Sequence, residues 1–548
     1  MAGTLDDRAA CGAAARHRTA KEAEVDRHGK TGAWAAAVAA LALAGCDVLF
    51  AGEASRPPPT GLAPALLEAI DAPFVHRWSR DSSHPLLAAA AIDIDGDGRD
   101  EVFLGGSDGQ PDALLGWRDG RLVDIAASLG IGDTTATYGA LSLDLDGDGR
   151  VDLLTVGHAG LVLWLNRGTA FERKPIAVGL PAGTVPMAVT AGDFDRDGRV
   201  DLYLSLFVAP RDFRSPVFNN PAHAKANPLL RNEGDLIFRD ATDAASAGLQ
   251  NTFTASFIDL DSDGWLDLAL AQNTGEAEIL RNLGNGRFER VVLRTGYGFW
   301  MGLAFADLHG SGRPDIFFSN AGNSIPGWAV KGDRRDDQPA ALEWLLLRND
   351  GGMRFTDITA PAGATGFGFA WGGVFEDINL DGTLDLLVAE NYVRWPVHRL
   401  FKLPGKVLLG APGAAPRFHT SDAGANPGYG HVPLIADLDG DGRNDLLWAN
   451  MDGPARAYLN RTPGRFVAVR LPDAPVSIGA RIRLEGVRVG VRQVVAGEGL
   501  TSDRSAQHTI GMPADAPPPS ALVVDWADGR VTRIDQPRPG TRYTVSAP

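Results

Sequence analysis

Short apolar runs alternate with polar turns along most of the chain. Runs of small residues (LLAAAA, YGALS, MAVTAG, FTASF, MGLAFA, WGGVF) each lead into an acidic loop, and each loop is followed by a short bulky run. Beyond several of these come hairpins with Asn-x-Gly-type turns, as in LLRNEGDLIFRD, ILRNLGNGRFER and LLLRNDGGMRFTD. Runs of this length bounded by Gly, Asn and Asp predict strands. Small residues in the first run suit an innermost strand near a crowded axis. Four short strands per unit, repeated seven times, predict an all-β fold, a seven-bladed β-propeller. A solenoid shares the repeat logic, but four-stranded units of roughly 50 residues favour radial closure.

The loop between the first two predicted strands carries D-x-D-x-D-G or a relic of it. Its first acid falls at Asp93, Asp144, Asp193, Asp259, Asp307, Asp377 and Asp437, at intervals of 51, 49, 66, 48, 70 and 60 residues. Ca²⁺ takes 6–8 oxygens at about 2.3–2.6 Å, and alternate residues of a tight loop can turn carboxylates inward. Full sets are predicted at Asp93/Asp95/Asp97/Glu101, Asp144/Asp146/Asp148/Asp152, Asp193/Asp195/Asp197/Asp201, Asp259/Asp261/Asp263/Asp267 and Asp437/Asp439/Asp441/Asp445. Asp377/Asn379/Asp381/Asp385 is one charge poorer but all oxygen. The seventh ligand position would offer its backbone carbonyl: Arg99, Arg150, Arg199, Trp265, Thr383 and Arg443. The fifth loop, Asp307/His309/Ser311/Asp315, has lost two carboxylates, so about six calcium sites are expected, with the fifth empty or weak. An EF-hand shares the opening but needs a bidentate Glu at position twelve. Leu104, Thr155, Leu204, Leu270, Phe318, Val388 and Trp448 stand there instead.

The amino-terminal region suggests export. Ala33 to Gly45 is a 13-residue apolar segment behind Arg27 and Lys30, the length of a secretory h-region and too short to span a bilayer. It ends Leu43-Ala44-Gly45-Cys46, which resembles a bacterial lipobox with Cys46 as the lipidated residue; a cleaved ordinary signal is the alternative. Val25 is a candidate true start, because the first 24 residues make an unusually long polar n-region. The domains read as 1–46 signal with lipobox, 47–71 Pro-rich tether, 72–464 propeller and 465–548 a small β-rich domain. Two closures fit blade seven. Either Arg465 to Leu471 is its outermost strand, or Pro73 to Arg80 pairs with the last blade and hides a sheet edge; the second is favoured.

Three long connections fall on the face opposite the acidic loops: 206–229, 320–342 and 390–405. Long loops on a rigid scaffold commonly carry function. Phe213, Trp328, Tyr392 and Trp395 are therefore candidate ligand contacts, against the alternative that such aromatics pack on one another to cap the propeller.

With 52 basic and 68 acidic residues the net charge is −16, which argues against a nucleic-acid partner. Two Cys, Cys11 and Cys46, exclude a disulfide framework and a Cys-based zinc site. No H-E-x-x-H or phosphate-cradling loop occurs, so no enzymatic activity is expected. The enzymatic alternative is a calcium-dependent polysaccharide lyase, for which Arg211, Lys331 and Arg394 are the available bases on the loop face.

The repeats resemble FG-GAP/VCBS-type propeller repeats. Leu229 to Thr242 and Leu346 to Thr359 follow L-x-R-N-x-G-x-x-x-F-x-D-x-T, which is similar to the cartilage acidic protein family. Gly479-Ala480-Arg481 and the V-x-W-x-x-G-x-V segment from Val524 to Val531 resemble the ASPIC/UnbV domain. The resemblance implies calcium binding and interaction rather than a reaction. The expected protein is an exported, calcium-stabilised binding or adhesion scaffold on the bacterial cell envelope. It would meet a glycan or protein ligand and touch the membrane only through its lipid anchor.

Overall fold

The computed structural model describes residues 62–213, 225–245, 251–322, 334–390 and 403–548. Cys46, Trp328, Tyr392 and Trp395 lie outside them, as do Lys331 and Arg394. The described residues are all-β apart from short 3₁₀ turns. Six four-stranded antiparallel meanders and a seventh sheet with three strands of its own repeat along the chain, with propeller-like architecture. Their first strands are Ala89–Ile92, Thr137–Leu143, Thr184–Gly192, Thr252–Ile258, Leu303–Ala306, Ala370–Glu376 and Gly430–Ala436. Each touches the first strand of the next sheet, and Gly430–Ala436 touches Ala89–Ile92.

These first strands are buried almost throughout, whereas outer strands such as Phe171–Ile176 alternate toward solvent. Small residues are required on the inside because neighbouring backbones nearly meet. A Cβ on Gly139 would lie 2.7 Å from Met187 O, and one on Gly302 2.7 Å from Trp371 O.

The seventh sheet has three strands of its own and borrows its fourth from the amino-terminal side. Leu67–Ile70 pairs antiparallel with Arg456–Asn460. The expected strand, Pro73 to Arg80, is thus displaced by several residues. Only Val75 makes a bridge there, to Pro454, and His76 N–H donates to Gly453 O at 2.9 Å. Residues 67–70 therefore belong to a sheet and not to the tether. Arg465–Arg470 opens the C-terminal domain, between Gln507–Met512 and Thr541–Thr544. A second sheet (Arg481–Glu485, Arg492–Gln493, Ala521–Asp525, Val531–Asp535) packs on it over Val467, Val469, Ile482, Ile510, Leu522 and Val524.

From this domain residues 496–505 reach the first strands of all seven sheets. Ser502–Asp503 pair with Ala89–Ala90. Asp503 Oδ2 accepts from Ser142 N–H at 2.9 Å, and Ala496 O accepts from Thr190 Oγ1 at 2.6 Å. Ser256 Oγ donates to Gly497 O at 3.0 Å, and Gly499 exchanges both backbone bonds with Leu303. Arg504 Nη1 donates to Phe375 O at 3.0 Å, and Ser505 N–H to Ile435 O at 3.0 Å. The inner edge of each sheet would otherwise leave backbone groups without partners, and this segment pairs with part of that edge. Leu500, fully buried, joins the axial core with Met187, Met301, Trp371 and Val432.

Candidate metal centres

Each acidic loop joins the first and second strands of a sheet, and every second strand starts at the ninth loop position, from Glu101 to Asp445. The turn is sharp because the sixth position is Gly in the left-handed region, with φ of 84° at Gly98, 85° at Gly149 and 90° at Gly382. The first acid caps the turn. Asp93 Oδ2 accepts from Gly98 N–H at 3.0 Å, and Asp259 Oδ2 from Gly264 N–H at 3.0 Å.

In five loops three carboxylates bring oxygens within 4.8 Å of one another: Asp93/Asp95/Asp97, Asp144/Asp146/Asp152, Asp193/Asp195/Asp197, Asp259/Asp261/Asp263 and Asp437/Asp439/Asp441. Oδ1 of Asp93, of Asp195 and of Asp259 is buried with no hydrogen-bond partner. Leaving a buried carboxylate oxygen unmatched is costly. An oxygen-only donor set with an unmatched oxygen suits a hard divalent cation such as Ca²⁺, so these residues fit the expected ion. Burial opposes the charge as well, raising Asp201 and Asp267 to about 8 and Asp437 to about 7. A bound cation would relieve that penalty.

The ninth position does a second job. Its two oxygens clasp backbone: Asp267 accepts from Leu260 N–H at 3.0 Å and from Asn282 N–H at 2.8 Å. Asp152, Asp201, Asp385 and Asp445 repeat the arrangement. Asp315 keeps it in the fifth loop, where the carboxylates at positions three and five are gone. The clasp therefore stands without a full ligand set. Glu101 differs: Oε2 takes Ile94 N–H at 3.3 Å, while Oε1 faces Arg118 at 3.4 Å.

The position-seven side chains have partners of their own. Arg99, Arg150, Arg199 and Arg443 pair with the position-five acids Asp97, Asp148, Asp197 and Asp441. Trp265 instead lies under the Arg196 guanidinium at 4.2 Å. In the sixth loop Asp377 accepts from Gly382 and Asp381 N–H, Asp381 accepts from Thr383 N–H, and Asn379 Nδ2 donates to Asp381. The fifth loop is satisfied by protein groups, its own and one from the C-terminal domain. Asp307 accepts from Ser311, Gly312 and Val491 N–H, and His309 Nδ1 lies 2.8 Å from Asp315.

Two features went unread in the sequence. In several Asn-x-Gly turns the Asn is a stitch between sheets: Asn282 Nδ2 donates to Phe194 O in the preceding loop at 2.8 Å, and Asn349 Nδ2 to Leu260 O at 2.7 Å. The recurrence of an Asn in the third strand of five sheets (Asn166, Asn232, Asn282, Asn349 and Asn460) was the available signal. The other is the C-terminal domain's seat, which lies on the loop face itself. Asp473 O accepts from Asp144 N–H at 2.7 Å, Arg470 Nε lies 3.3 Å from Asp93 and Gln507 Nε2 donates to Asp437 at 3.0 Å.

The FG-GAP-like repeat family matches residues 93–155, 144–204, 259–318 and 437–490, and the ASPIC and UnbV family matches 473–548. The chain carries FG-GAP-like repeats and an ASPIC and UnbV domain. The axial segment 496–505 belongs to the ASPIC and UnbV match. Cartilage acidic protein 1 of Mus musculus is 24% identical over 490 residues, covering 81% of this chain and 70% of the relative. The Xenopus tropicalis protein of that name is 22% identical, covering 82% of this chain and 63% of its own length. Among solved structures, an Agrocybe aegerita lectin is 18% identical at TM-score 0.36, over 70% of this chain and 93% of the lectin. The V. cholerae biofilm matrix protein Bap1 is 10% identical at TM-score 0.32, over 86% and 76%.

Phe213, the one described member of the candidate ligand aromatics, packs inward. It meets Phe207 at 5.8 Å and His84 at 6.0 Å between ring centroids, against the axial core. That is the capping role. No helix among the described residues is long and apolar enough to cross a membrane.

Proposed function

We propose that the protein is an exported, calcium-stabilised binding scaffold of the bacterial envelope, anchored through Cys46 and without catalysis of its own. One observation supports the calcium half above the rest: acid triads converge in five loops, and three of them hold a buried carboxylate oxygen with nothing to bond. In this reading the ions hold the loops, and the loops hold adjoining sheets in a ring of seven. Calcium, when bound, supplies charge neutralisation and fixed geometry. Asp93, Asp144, Asp193, Asp259, Asp377 and Asp437 with their loop partners hold it, while the ninth-position acids pin each loop to its third strand.

The C-terminal domain covers loops on one face, which directs ligand contact to the other. The long connections expected from the sequence leave and rejoin their sheets on that face, and a glycan or a protein is the ligand class proposed for it. A glycan array probed with the full chain in calcium tests this, with a pull-down as the protein arm. Specific retention that ends on chelation supports the reading. Unsaturated product from an acidic polysaccharide, read by absorbance, would replace it with the lyase alternative.

A further inference from the structure

The first and seventh acidic loops meet the C-terminal domain through the same carboxylates that face into the loops. Asp93 divides its oxygens: Oδ2 receives Gly98 N–H and lies 3.3 Å from Arg470 Nε, while Oδ1 is buried and unmatched. Asp437 Oδ2 receives Gly442 N–H and Gln507 Nε2, each at 3.0 Å, and Thr509 Oγ1 donates to Gly442 O at 3.0 Å. Asp100 joins the two loops. Its N–H donates to Asp437 O at 2.9 Å, its Oδ2 accepts from Asp437 N–H at 2.8 Å, and its Oδ1 accepts from Arg470 Nη2 at 2.9 Å.

We propose that seating of the C-terminal domain, with its axial segment 496–505, is linked to cation occupancy of these two loops, so that each favours the other. The proposal rests on the calcium reading of the loops. Domain and cation use different oxygens of Asp93, so they need not compete for a ligand. The domain's contacts require the first-position carboxylates and the Gly442 carbonyl in fixed orientations. Clustered carboxylates without a cation repel one another and loosen that arrangement. The Arg470 guanidinium would by itself oppose a nearby cation. However, Asp100 already meets it at 2.9 Å in a site with Arg470 7% and Asp100 0% exposed in their side chains, so its charge is matched locally. By linkage, whatever stabilises one arrangement must raise affinity for the other partner by the same factor.

Hydrogen exchange of the full chain over residues 496–504, with calcium and with EGTA, reads one direction. Calcium titration of Thr509→Val and Arg470→Met reads the other, with circular dichroism in saturating calcium checking that each variant folds. The expected result is exchange slowed at least tenfold by calcium, and a severalfold loss of affinity in one class of sites for both variants. The sign for Arg470→Met is diagnostic, because removing a cation from beside Asp93 by electrostatics alone would raise calcium affinity. Should Arg470→Met not fold, the uncharged Thr509→Val carries the test. Calcium binding without any change in exchange, or variants that bind calcium as tightly as the parent, would overturn the linkage. Absence of any calcium binding would instead overturn the calcium reading, and the linkage with it.

Discussion

At the residue scale, the acids of one loop do different work. Position one caps the turn and offers an inward oxygen, position five pairs with an arginine, and position nine clasps two backbone amides. Asp259→Ala, which removes an unmatched buried oxygen, should lower the calcium stoichiometry by one ion in isothermal titration while the other loops titrate as before. The metal-free protein should also respond to pH. Asp201 and Asp267 at about 8 and Glu101 and Asp437 at about 7 lie above the unfolded values of about 4. The folded state therefore holds these protons more tightly, and the stability they contribute is lost as pH rises through 4 to 8. His76 at about 4 and His431 at about 3 are depressed by burial, so their contribution is lost only as pH falls below about 6.5. Between pH 6.5 and 8.5 only the carboxyls act. The melting temperature in chelator should fall across that window, and calcium should remove the fall.

At the element scale, the loops and their strands were legible because both rest on local chemistry. Alternate acids, a Gly at position six and an apolar run after position nine are all within a dozen residues. The Asn stitch was not legible. Asn282 reads locally as a hairpin turn, and its partner Phe194 O belongs to a loop 88 residues away. Asn282→Ala should cost roughly 1–3 kcal/mol, because two buried carbonyls lose their donor, measured by denaturant unfolding in calcium. The closing strand was placed several residues late. Leu67–Ile70 has partly exposed, non-alternating residues, and only its pairing to Arg456–Asn460 makes it a strand. Deleting residues 62–70 should expose the edge of Arg456–Asn460 and promote self-association, visible by light scattering.

At the scale of the whole molecule, the C-terminal domain is bound into the repeats rather than appended to them. Segment 496–505 bonds to the first strand of each of the seven repeat sheets. Nothing in its local pattern, AGEGLTSDRS, announces a strand or a core, since its partners are spread from Leu87 to Ile435. Single-transition unfolding of the full chain in calcium is the expected consequence of that many shared contacts. The central claim is that cations in the acidic loops hold this assembly together, since a ligand that binds only the folded state stabilises it by mass action. The most direct measurement is a melting curve of the full chain in millimolar calcium and again after EDTA and dialysis. The account predicts a markedly lower melting temperature without the ion and full recovery on its return. A melting curve indifferent to chelation would contradict it.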